Sequence, residues 1–100
     1  MRTIQLDGTT WRDKEDFYKA FLSAIGAPVN HGHNLDALAD SISGRQMNAI
    51  ELPYKIVIDG FSRMSEEANE ITKRFRDLVM DLKAHHHDPI DIEVPGLSPR

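Results

Sequence analysis

Pro53 opens a nearly continuous β-branched run, Tyr54-Lys55-Ile56-Val57-Ile58, that Asp59-Gly60 closes. Proline is accommodated at the first position of a strand, and a run with so little polar interruption suits a strand that is covered on both sides or flanked by other strands. The segments before and after it are helical in pattern, so its neighbours must be reached through helical crossovers, which join parallel strands. This one run therefore restricts the chain to a small parallel sheet with helices packed on it.

The other segments fit that frame. Ile4 and Leu6 flank Gln5 in a first strand over 2–6, ended by Asp7-Gly8, where glycine's tolerance of positive φ favours a turn. From Asp13, an N-cap candidate, the residues Phe17, Tyr18, Phe21, Leu22 and Ile25 recur at helical spacing up to Gly26 and Pro28. A polar stretch, Asn30-His31-Gly32-His33, leads to a short helix from Asn34 to about Ile42 closed by Gly44, and 45–52 reads as loop. Ser65 caps a long helix with Glu66 and Glu67 in its first turn and an apolar stripe of Ala68, Ile71, Phe75, Leu78, Val79 and Leu82. Ile90, Ile92 and Val94 alternate with Asp91 and Glu93 in a last strand, after which 95–100 is expected to be a tail with nothing to pack against. Strand, helix, short helix, strand, helix, strand gives a single two-layer α/β domain over 1–100 with a core over about 2–94. Three strands form no doubly wound switch point, and no glycine-rich phosphate loop occurs.

Composition narrows the function. The chain has 100 residues and no cysteine, so disulfides, thiolate metal sites and cysteine nucleophiles are excluded, which suits a reducing cytosol. Twelve Lys plus Arg against 16 Asp plus Glu leave a formal charge of −4. A compact acidic domain is a poor ligand for nucleic acid or anionic membranes and a better one for a basic protein. No apolar run approaches the roughly 20 residues that span a bilayer, and the first eight residues lack a signal-peptide core, so a cytoplasmic protein is expected. The charge is unevenly spread. Residues 1–29 and 62–87 each balance, while 30–61 carry −2 through Asp36, Asp40, Glu51 and Asp59 against Arg45 and Lys55, and 88–100 carry the other −2.

Within the acidic segment the short helix stands out. Leu35, Leu38 and Ile42 share its core face, whereas Asp36 and Asp40, four apart, share an outward one. Asp36 gains from the helix dipole and lies beside the cap residue Asn34. Asp40 lies in the later half, where that gain is absent, and like charges at this spacing cost a few tenths of a kcal/mol. A locally unfavourable acid suggests use by a partner; the plain alternative is a solvated helix face. Metal binding by His85-His86-His87-Asp88 is not expected, because three consecutive side chains converge on one ion only in a strained loop. These imidazoles fit better as favourable groups near the helix's negative end. Catalysis by His31 or His33 with Asp36 and Asp40 is not expected either, since carboxylates on one exposed turn converge on nothing. No cofactor, metal or catalytic residue is assigned.

Gly32-x-Asn34-Leu35-Asp36-Ala37-Leu38-x-Asp40 followed by Gly44 resembles the signature of the barstar family of intracellular ribonuclease inhibitors, and the likeness extends over about 3–94. Asp16-Phe17-Tyr18, the Pro-led strand at 53–58, Phe75-Arg76-Asp77 and Asp91-Ile92-Glu93-Val94 fall in family order. The resemblance implies a three-stranded parallel sheet of order 1-2-3 and inhibition by plugging, in which the short helix and the loop before it cover the active site of a basic ribonuclease secreted by the same cell. Carried over by position, Asp40 is the central phosphate mimic, Asp36 its flanking acid and Asp77 a peripheral one. Asn34, Ser43, Gly44 and the loop residue Gly32 complete the docking surface of an expected monomer. Asn30 and His31 stand where the family has aromatic residues, Ala39 replaces a tryptophan and Arg45 another aromatic, so a cognate nuclease other than barnase is expected. The alternative is a non-inhibitory module of the same fold that binds some other basic protein.

Overall fold

In the computed structural model, residues 1–28, 31–43, 48 and 50–97 are described. Three strands, β1 (Arg2–Asp7), β2 (Tyr54–Asp59) and β3 (Ile90–Glu93), form one parallel sheet of order β1-β2-β3. Helices α1 (Lys14–Ile25) and α2 (Leu35–Ser43) lie between the first two strands and α3 (Glu66–His85) between the last two. The Pro-led run is thus the central strand, hydrogen-bonded on both edges. Its register aligns Ile4, Ile56 and Ile92 in one row and Leu6 with Ile58 in another, all buried. The alternate row, Gln5, Val57 and Glu93, faces the opposite side and is half-buried or exposed. Right-handed crossovers between successive strands put every connecting helix on one side of such a sheet, and the one-sided burial is the result. The run reflects its position between two strands rather than cover on both faces.

Helix boundaries follow local chemistry. Asp13 accepts from the backbone N–H of Asp16 and caps α1, and Gly26 closes it in the left-handed conformation at φ 69°. Phe17, Tyr18, Phe21, Leu22 and Ile25 are all buried, and Phe17 and Phe21 each lie 4.9 Å, centroid to centroid, from Phe75 of α3. Ser65 caps α3 by accepting from Ala68 N–H and also donates to Arg12 O at 2.5 Å, clasping the start of α3 to the segment before α1.

Three expectations change. The turn after β1 does not use a positive φ at Gly8; Asp7 builds it by accepting from both the N–H and the hydroxyl of Thr9, at 3.0 and 2.8 Å, bonds that also hold its carboxyl below the usual carboxylate range. Gly8 is needed for close approach instead, since a Cβ there would meet the Met64 methyl at 2.5 Å and Asp59 O at 3.0 Å. A 3₁₀ turn, Phe61–Arg63, lies between β2 and α3 within the segment that had no assigned structure. Finally, 95–97 is not loose: Leu97 N–H donates to Val94 O, and Leu97 packs against the core. Residues 98–100 lie outside the described residues.

Candidate functional site

Leu38 and Ile42 bury one face of α2 on the core, and this turns Asp36 and Asp40 outward into solvent. Asn34 caps the helix, its side-chain oxygen accepting from Ala37 N–H at 2.8 Å. The loop before it is held from two sides. His31 Nδ1 donates to Gly32 O at 2.8 Å, and His31 N–H donates to Pro28 O. His33 Nδ1 donates to Glu15 of α1 at 2.6 Å while its ring stacks on Tyr18 at 5.7 Å, so the lead-in to α2 is fastened to α1. Burial foremost, with the Glu15 carboxylate next, raises the Tyr18 hydroxyl's pKa against a smaller opposing pull from Arg74. At the far end, Ser43 Oγ donates to Asp88 Oδ2 at 2.5 Å, tying α2 to the turn between α3 and β3. Asn48 Nδ2 donates to Ser41 Oγ at 2.8 Å, on the buried side of α2.

Between α2 and the last turns of α3 runs an open groove of about 330 Å³. Ala39, Asp40 and Ser43 form one wall, Asp81, His85 and His86 the other, and Leu78 and Leu82 line it as well. Leu78 is only half-buried because it lines this groove, although its spacing places it in the core stripe. Asp77, one turn before Asp81, is half-buried and pairs with Arg76 at 3.1 Å. Asp36 sits one turn N-terminal of Asp40, outside the groove lining. The structure therefore joins Asp40, Ala39 and Ser43 to a surface of α3 and sets Asp36, Asn34 and Gly32 at its α2 end. Asn30, Gly44 and Arg45 lie outside the described residues.

Asp81, His85 and His86 are groove residues that sequence reading did not select for a site. A signal was present, because Asp77, Asp81 and His85 are spaced four apart on α3 and so stack along one face. Among the described residues no three His, Cys, Asp or Glu side chains are grouped so as to hold a metal ion. Among the described residues no helix is long and apolar enough to cross a membrane.

An exposed acidic face beside a groove with apolar lining suits docking of a cationic protein surface: carboxylates to pair with guanidinium or ammonium groups, and leucines against which a side-chain stem can lie. No curated protein matches the chain. The model of the family described as Barstar (barnase inhibitor) matches residues 1–94, which takes in all three strands, the three helices and every residue of the groove. With the 1-2-3 parallel sheet already established, this chain belongs to the barstar family, a family of inhibitors.

Proposed function

We propose that this protein inhibits a cationic ribonuclease by laying the outward face of α2 over the enzyme's active site, with Asp36 and Asp40 standing in for RNA phosphate. The observation that carries the reading is Asp40: exposed, past the favourable end of the helix dipole, and lining an open groove between α2 and α3. Family membership supports it. A nine-residue helix is about 13 Å long and cannot by itself supply the roughly 800 Å² per partner of a standard interface. An interface of that size would also take in the loop at 31–34 and the Asp77 and Asp81 side of α3. Acidic charge on this face speeds encounter with a basic enzyme, and carboxylates desolvated against its arginines slow release. In this reading the protein acts as a monomer in the cytosol of the cell that secretes the nuclease. Ala39 and His31 leave the surface without large aromatic anchors, which favours a target that supplies its own.

The test is a panel of small basic ribonucleases assayed by initial rate with purified protein. Wild type is expected to inhibit at least one stoichiometrically, and Asp40→Ala to bind it on the order of 30-fold or more weakly, the loss of one desolvated charge pair being worth about 2 kcal/mol or more. Inhibition of no member of the panel, or equal inhibition by both proteins, removes this reading and favours an interaction module with another basic partner.

A further inference from the structure

The loops that leave β1 and β2 meet in an open cleft of about 460 Å³, lined by Thr10, Trp11 and Arg12 from the first and by Arg63 and Met64 from the second. It lies beyond the carboxyl ends of two parallel strands, the side on which open α/β sheets bind ligands. It also sits at the start of α3, whereas the groove beside α2 runs along the last turns of that helix. A 20-residue helix is about 30 Å long, so the two are separate surfaces. Backbone bonds fix the frame of the cleft. Trp11 N–H donates to Gly8 O and Ser65 N–H to Trp11 O, both at 3.1 Å, and Gly8 N–H donates to Asp59 O at 2.8 Å. Trp11 and Met64 are buried and form the apolar part of the lining, while Arg12, Arg63 and Thr10 are exposed.

Both guanidinium groups are left over from local pairing. Acids crowd this end of the molecule, yet their carboxylates are engaged by the chain itself. Asp7 accepts from Thr9, Asp13 from Asp16 N–H, Asp16 from Arg12 N–H at 2.9 Å and Glu67 from Lys14 N–H at 2.9 Å. Glu66 adds a further negative charge in the first turn of α3. These acids answer the positive starts of α1 and α3. Among the described residues neither they nor any other carboxylate forms an ion pair with Arg12 or Arg63. We propose that Arg12 and Arg63, one from each loop, make the cleft a binding site for a phosphate monoester. A carboxylate has two oxygens and is saturated by one guanidinium fork, whereas a phosphate monoester offers three terminal oxygens and close to two negative charges, enough for two forks and the Thr10 hydroxyl. The volume falls within the range of about 300–1,000 Å³ typical of small-molecule sites, which leaves room for the organic group of the ester beside Trp11 and Met64.

Isothermal titration of the full chain with phenyl phosphate at about pH 7.5, where the ester is close to doubly charged, tests the site. Saturable one-to-one binding is expected, with benzoate and inorganic phosphate each bound several-fold more weakly. Arg12→Gln and Arg63→Gln are each expected to weaken phenyl phosphate roughly tenfold, as loss of a charge-assisted pair should. Arg12→Lys keeps the charge without the fork and is expected to fall between wild type and Arg12→Gln. Lys73→Gln removes the same charge from an exposed position of α3 outside the cleft and is expected to bind as wild type does. Both arginines are exposed, so urea unfolding of the variants should match wild type and separate loss of binding from loss of fold. Absence of saturable binding overturns the site, as does full affinity in both arginine variants or an equal loss in Lys73→Gln. Benzoate bound as tightly as phenyl phosphate overturns the choice of phosphate, and inorganic phosphate bound as tightly overturns the ester. None of these readouts involves a nuclease, so the result stands apart from that of the inhibition assay.

Discussion

Asp40 is set against its own helix. Replacing it with alanine removes a repulsion from Asp36 at i, i+4 spacing and substitutes a better helix former, so the Asp40→Ala protein is expected to be more stable by up to about 1 kcal/mol while its inhibition weakens. Urea unfolding beside the inhibition assay checks both signs in one variant. That conflict was visible in the sequence because it is local: acid type, position in the helix and spacing from Asp36 are all read along ten residues. Gly8 shows the opposite case, since the atoms that forbid a side chain there belong to Met64 and Asp59, more than fifty residues away. Tyr54, the first residue of β2, is buried, and burial foremost, with the Asp88 carboxylate next, pushes its hydroxyl up to about 12. A phenol whose folded value is raised contributes stability that is intact below about pH 10, where the unfolded phenol is protonated too, and is lost as pH rises from there through about 12. Alkaline unfolding is expected to cost up to about 3 kcal/mol through this group, and Tyr54→Phe to flatten that part of the stability curve.

At the scale of elements, α2 is short and borrows its order from neighbours. Nine residues are too few for an independent helix in water, and fixation comes from Asn34 at its start, Ser43 on Asp88 at its end and His33 on Glu15 ahead of it. The helix itself was legible from Leu35, Leu38 and Ile42. Its far anchor was not, because the Ser43 to Asp88 contact joins residues 45 apart. The same holds for the groove, whose two walls come from α2 and from the last turns of α3. A period locates each helix, but only the way they cross decides which side chains face each other. At α3 the decisive residue is Ser65, which both caps the helix and reaches Arg12 O. Ser65→Ala is expected to lower stability by about 1–2 kcal/mol, read from the shift of the urea midpoint at unchanged slope. It leaves Asp36 and Asp40 untouched, so inhibition by the folded fraction should persist.

For the molecule as a whole, one apolar interior serves the sheet and all three helices, and Phe75 sits in its middle with no exposure. Phe75→Ala is expected to cost about 3–5 kcal/mol. Against the 5–15 kcal/mol that a domain of this kind possesses, thermal unfolding should reveal either a collapse of the transition or a large fall in its midpoint. The interior was the most legible part of the protein, because a 3.6-residue period in α1 and α3 and alternation in the strands leave little choice of faces. The charge asymmetry was legible as arithmetic, and the structure adds a location. The −2 of 30–61 includes Asp40 on one wall of the groove, while Asp81, from a segment that balances to zero, stands on the other. Segment sums cannot register a field built by two helices that meet late. Parallel pairing across the sheet has a consequence for how the protein is made. Arg2 is aligned with Tyr54, and Tyr54 with Ile90, so on the ribosome the first strand waits for the second and the second for the third. The helix with the two aspartates emerges before its opposite wall, Leu78 to His86. A nascent chain therefore has no complete groove until the last turns of α3 have emerged and packed against α2.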